Sequence, residues 1–131
     1  MILLDTNAFI WWLSDRSKLP SKALNKIELS SKQGEIFVSA ISIWEVCILV
    51  AKKRINLNNH IDLWINELDR LTDIEFIPID NHVAYLSTHL PGTFHKDPAD
   101  RFIVATAISH NLTVVTKDQK ILEYKHVKAL W

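Results

Sequence analysis

The residues of this 131-residue chain that could do chemistry are carboxylates. Asp5 closes the apolar run MILLD, and Glu45 follows the β-rich stretch EIFVSAI. Asp97 and Asp100 lie three apart in HKDPADR, and Asp118 falls two residues past TVVT. Each acid has a purely structural reading. Asp5 could cap the helix after it. Ser42 and Glu45 fit the S-x-x-E capping box. In DPAD, Asp97 suits the N-cap, Pro98 the first helical position and Asp100 the positive helix end. Asp118 could be an ordinary turn acid. Brought to one place, however, they repel one another. Like charges about 4 Å apart cost on the order of several kcal/mol at a partly screened site. A fold that gathers them needs a cation. Hard divalent ions take such oxygen ligands. An ion held there would polarise a phosphate, activate water and steady the leaving oxygen, and nearby helix N-termini would help hold the phosphate.

The elements that must position these acids alternate along the chain. MILLD reads as a buried strand. TNAFIWWLS has helical spacing, with Phe9, Trp12 and Leu13 on one face. A second helix spans LPSKALNKIELSSKQG, with Pro20 at its start and Gly34 at its stop. EIFVSAI is a strand. SIWEVCILVAKKR is a helix with Ser42 as N-cap, which places Glu45 in its first turn. LNNHIDLWINELDRL is a helix capped near Asn58 or Asn59. IEFIPI is a strand that Pro78 either ends or confines to an edge. DNHVAYLSTHL is a short helix and DPADRFIVATAISHN a long one. LTVVT is a strand, and VKALW adds a fifth. Strands alternating with helices imply an α/β fold: one domain over residues 1–131, with a mainly parallel central sheet flanked by helices in three layers. In such sheets, sites form beyond the carboxyl ends of the strands. Asp5, Glu45 and Asp118 would arrive there, and the helix carrying Asp97 and Asp100 must begin there to lead back to a parallel strand.

Composition narrows the function. The two glycines, Gly34 and Gly92, exclude glycine-rich phosphate loops of the Walker and dinucleotide types. Zero net charge argues against broad charge-driven binding to nucleic acid, though not against a local site. No run of about 18 apolar residues is present, so no membrane span is expected. The lone Cys47 cannot form an internal disulfide, which fits a reducing cytoplasm.

Four stretches together, LLDTN, SAISIWEV, HKDPADRFIVATA and LTVVTKD, resemble the PIN-domain ribonucleases, and especially the VapC toxins of prokaryotic toxin–antitoxin pairs. The resemblance implies a magnesium- or manganese-dependent endoribonuclease that hydrolyses RNA phosphodiester bonds. It further implies a VapB-like antitoxin as protein partner; a homodimer is expected separately, from a helix that is apolar on two sides. It matches Asp5, Glu45, Asp100 and Asp118 to the family's acids. Asp5 and Asp100 would anchor the metal, with Glu45, Asp118 and Asp97 as further candidates. Thr6, Asn7 and Thr116 would support them.

Other residues are less specific. His95 could contact a phosphate or pack its loop. Arg101 could reach a phosphate or a carboxylate of the site, or form a surface ion pair. Of the adjacent Trp11 and Trp12, Trp12 is assigned to the core and Trp11 to a partner groove. The helix RFIVATAISH is apolar nearly all round, so one side should face the sheet and the other a second subunit. Competing functions remain. A housekeeping RNA-processing PIN nuclease would use the same acids. A magnesium-binding receiver-like signalling domain expects an acid pair at the end of the first strand, and a dehalogenase-like phosphatase expects D-x-D. Asp5-Thr6-Asn7 supplies neither. A degenerate domain that only binds partners would have no need of the full acid set.

Overall fold

The computed structural model describes residues 1–131. In chain order the elements are β1 (Ile2–Leu4), α1 (Thr6–Ser14), a 3-10 turn (Arg16–Lys18), α2 (Ser21–Gln33), β2 (Ile36–Ser39), α3 (Ala40–Ala51), α4 (Ile61–Leu68), β3 (Ile74–Ile77), α5 (Asn81–Thr88), α6 (Pro98–His110), β4 (Thr113–Val115), α7 (Gln119–Leu122) and β5 (Ala129–Leu130). The strands form one sheet in the order β3-β2-β1-β4-β5, and every neighbouring pair is parallel. Leu4 is in register with Val38 on one side and Val115 on the other.

Period-two alternation divides the central strand between two cores. Ile2 and Leu4 join Phe9, Trp12, Ile27 and Val38 on one face. Leu3 joins Val83, Ile103, Val104 and Val114 on the other. This is the three-layer arrangement expected. The strand order reverses direction at β1, so the crevice between the carboxyl ends of β1 and β4 is the natural site. β3 is an edge strand that stops one residue before Pro78, because proline cannot donate to a ladder. α2 stops at Gly34, whose φ of +66° is open to glycine without strain.

Four local expectations need correction. The second strand ends at Ser39, and Ser39 rather than Ser42 caps α3, its side chain accepting from the Ile41 amide. Ser42 is therefore a buried helical residue and Glu45 lies in the second turn of α3, so no capping box joins them. α4 begins after His60, without a side-chain cap from Asn58 or Asn59. Trp11 packs on Trp131 of the same chain, ring centroids 5.8 Å apart, rather than facing a partner groove. Finally, α6 carries Ile103 to Ala107 fully buried, and its second side is covered by α5 of the same chain.

Candidate functional site

At the carboxyl edge of the sheet, the side chains of Asp5, Glu45, Asp97, Asp100 and Asp118 line one pocket of about 510 Å³, with Thr6, Asn7 and His95. Asp5 reaches it from the end of β1. It is buried, 6% exposed, and both of its oxygens are held. Oδ1 accepts from the Ala8 amide at 2.8 Å and so caps α1. Oδ2 accepts from the Thr116 hydroxyl. Thr116 is fully buried behind the pocket, and its Oγ1 in turn accepts from the Asp118 amide at 2.9 Å. One hydroxyl therefore ties the acid after β1 to the acid after β4. Asp118 itself caps α7 by accepting from the Lys120 amide.

Glu45 enters from α3. Thr6 Oγ1 donates to Glu45 Oε1 at 2.5 Å and lies 3.0 Å from Ser42 Oγ. Its single proton is directed at the carboxylate, so Ser42 donates to Thr6. Asp97 caps α6, its Oδ1 accepting from the Asp100 amide at 3.0 Å. Pro98 fills the next position, and Asp100 projects one turn into the pocket. His95 Nδ1 accepts from the Asp97 amide at 3.3 Å. The neutral ring then carries its proton on Nε2, which lies 3.1 Å from Asp100 Oδ2, close enough for charge contact but poorly angled for a full hydrogen bond.

Negative charge dominates the pocket. The molecule's one ion pair between permanent charges is Met1–Glu35, and His95 meets Asp100 as a charge pair only when its ring is protonated. Lys117 and Lys120 line the pocket, but neither comes within salt-bridge distance of an acid. Burial first, then the negative charges of Asp97, Asp118, Glu45 and Asp5, push Asp100 up to about 7. Burial raises Glu45 as well, with the Asp97 and Asp5 charges adding to it and the Thr6 bond opposing. Asp5 is raised by burial against the bonds from Thr116 and Ala8. Such a set suits a hard cation. Ligand atoms of His95, Asp100 and Asp118 lie within 4.8 Å of one another. Each Asp5 oxygen keeps a lone pair free for a ligand role.

Arg101 is not brought to this pocket. Its Nε donates to the Ser87 carbonyl at 2.6 Å, and one terminal nitrogen donates to the carbonyls of Phe94 and His95 at 2.9 and 3.0 Å. It clamps the loop before α6 to the end of α5, and positions His95 from behind. Arg101→Lys should lower stability by about 2 kcal/mol in urea unfolding, since an ammonium cannot reproduce the three-bond fork. An unchanged midpoint would show that the clamp carries no weight.

Lys117 and Lys120 also line the pocket and were not singled out from sequence. Lys117 sits directly between Thr116 and Asp118, and that adjacency was the available signal. Its ammonium lies 5.0 Å above the Trp11 ring.

Known proteins share this fold and sequence pattern. The family model of the PIN domain matches residues 2–127. Ribonuclease VapC22 of Mycobacterium tuberculosis (strain ATCC 25618 / H37Rv) is 34% identical over 125 residues, covering 95% of this chain and 92% of its own. The crystal structure of FitAcB from Neisseria gonorrhoeae superposes with a TM-score of 0.69 at 25% identity, covering 100% of this chain and 97% of the other. VapBC2 from Rickettsia felis, bound to a DNA fragment from its promoter, gives 0.70 at 23% identity over 100% and 99% of the two chains, a likeness of fold.

Proposed function

Because the chain belongs to the PIN domain family, we propose that it is a metal-dependent endoribonuclease acting as the toxin of a toxin–antitoxin pair. The observation that carries this reading is the set of four carboxylates, Asp5, Glu45, Asp100 and Asp118, gathered in one pocket without a lysine or arginine partner. The mycobacterial relative, named a ribonuclease, supports RNA as substrate. The likeness to VapBC2 supports a VapB-like antitoxin as partner. A homodimer is part of the same reading. No helix is long and apolar enough to cross a membrane, and the single Cys47 suits work in the cytoplasm.

Asp5 and Asp100 would hold the ion, magnesium or manganese, with Glu45, Asp118 and His95 beside them and Asp97 fixing the helix start. When bound, such an ion supplies Lewis-acid polarisation of the scissile phosphate and lowers the pKa of water. The chain's own groups do the rest. Thr116 and the Ala8 amide fix the Asp5 carboxylate in one orientation, so its free lone pairs face the pocket. Thr6, backed by Ser42, aims Glu45, which together with Asp118 orients the attacking water. Asn7 offers the incoming phosphate a donor. Lys117 and Lys120, at the rim, meet the phosphates of the entering strand.

The test is cleavage of structured RNAs by the purified protein with magnesium, with manganese, and with EDTA. Fragments should appear with either metal and be absent in EDTA. Persistence in EDTA would remove the metal–carboxylate reading. Growth arrest on expression, relieved by co-expression of the product of the neighbouring gene, separates a toxin from a housekeeping nuclease.

A further inference from the structure

Beside the acidic pocket lies a second cavity, of about 410 Å³. It shares His95 and Lys120 with the first, so the two adjoin at that wall. Its chemistry is the opposite of its neighbour's. Phe94, Tyr124 and His126 supply rings, and Lys120 and Lys125 supply positive charge. Glu123 is the one acid in its lining, and that carboxylate accepts a bond from Gln119 at 2.9 Å. The rings form a connected set: Phe94 lies 4.9 Å from Tyr124, and Tyr124 lies 5.3 Å from His126, centroid to centroid. Tyr124 is buried and forms the floor, while His126 is exposed and Phe94 half-buried.

The walls are held in advance of any ligand. Arg101 fixes the carbonyls of Phe94 and His95. The Tyr124 hydroxyl donates to the Pro91 carbonyl. Gly92, at φ +65°, lets the His126 ring approach so closely that a Cβ there would stand 3.1 Å from its Nε2. A pocket of acids repels a polyanion, so a substrate entering it gains from an anchor just outside. Aromatic faces with cationic groups at their edge are the general means of holding single-stranded nucleic acid, because every base has a π-face.

We propose that this second cavity is a nucleotide subsite. It takes the base of the single-stranded RNA residue adjoining the scissile phosphate, laid against Phe94 and His126, with Lys120 and Lys125 on that residue's phosphate. The inference rests on the nuclease reading and adds to it a position where the substrate is gripped by its base. The volume admits one nucleotide, so the grip is local and the rest of the strand is held by its charge.

The first arm of the test needs no cleavage. Adenosine 3′,5′-bisphosphate and uridine 3′,5′-bisphosphate are titrated into the full-length protein and followed by amide NMR. Saturable shifts are expected at Phe94, Tyr124 and His126, with affinity falling at least 10-fold in Lys125→Ala/His126→Ala and largely retained in His126→Phe. Both changed residues are exposed, so the melting temperature should not move. Shifts confined to the amides around Asp5, Asp100 and Asp118, or equal affinity in the double variant, would overturn the proposal. So would full reproduction by inorganic phosphate, which would leave an anion site without base recognition, or no response at all, as for a cavity that takes a partner's side chains. The second arm is kcat/KM on single-stranded RNA with magnesium. The double variant should lose about 5- to 100-fold on an intact oligonucleotide and nothing further on one made abasic beside the cut. Equal rates for wild type and double variant on the intact strand would also sink it. Failure of the nuclease reading appears separately, as RNA left uncut by the wild-type protein while the bisphosphates still bind.

Discussion

Asp100→Asn should lower RNA cleavage by roughly three orders of magnitude and, in the absence of divalent metal, make the protein more stable at pH 8. The two effects share one cause. Asp100 faces the charges of Asp97, Asp118, Glu45 and Asp5 in a half-buried pocket, and together with burial they push its carboxyl up to about 7. At pH 8 the metal-free protein must carry that unfavourable charge, whereas asparagine occupies the same space without it. After allowance for solvent screening, the gain should be about 1–2 kcal/mol, or a rise of roughly 3–8 °C in melting temperature for a domain of this size. The catalytic loss follows because an amide is a poor substitute for an anionic ligand, and the metal contributes several kcal/mol of charge stabilisation in the transition state. Asp5→Ala is the contrasting case. It should lose activity as well, but without a stability gain, because the Ala8 amide and the buried Thr116 hydroxyl both lose their acceptor. An Asp100→Asn protein that cleaves normally, or that melts lower than wild type without metal, would contradict this account.

Stability of the metal-free protein should fall as pH rises from about 4 to 8, and divalent metal should reverse the fall. The carboxyl of Asp100 titrates near 7 in the folded chain and near 3.8 when unfolded. Between those values the folded state binds more protons than the unfolded state, so stability is fully present below the lower value and is lost as pH climbs through the upper. Asp5 and Glu45 are raised in the same direction, also by burial, and act in the same sense. Magnesium or manganese at about 100 times its dissociation constant should add about 2.7 kcal/mol, roughly 8 °C or more in melting temperature at pH 8. At pH 5 protons compete for the same oxygens and the increment should shrink. Calorimetric scans at the two pH values, with and without metal, decide it. A melting temperature flat with pH and indifferent to metal would show that the cluster is not under electrostatic strain.

Much of this site was legible because it depends on where strands end. Asp5 and Asp118 follow apolar strands directly, and parallel topology sends both to one edge. The Asp97-Pro98-x-Asp100 order was readable because a helix start has its own chemistry. The misread features depend on contacts between distant residues. Two serines, Ser39 and Ser42, compete to cap α3. What decides between them is Thr6, thirty-six residues away, which takes Ser42 into a buried bond. Arg101 reads as a partner for a phosphate, a site carboxylate or a surface acid because arginine so often is one, but the carbonyls that claim it come from the end of α5 and from a loop whose shape no local pattern reveals. Trp11 finds its partner at Trp131.

The bond from Thr116 to Asp5 joins residues 111 apart in sequence. β1, at the centre of the sheet, is flanked by β4, which is made among the last of the strands. A chain emerging from the ribosome therefore carries Asp5 from the outset with only the local bond from the Ala8 amide to hold it. Only when residues 113–118 have emerged does the strand beside it form, and only then do Thr116 and Asp118 reach the pocket. The site is therefore all-or-none along the chain: a chain that lacks residues 113–118 has neither the Thr116 hydroxyl on Asp5 nor the carboxylate of Asp118.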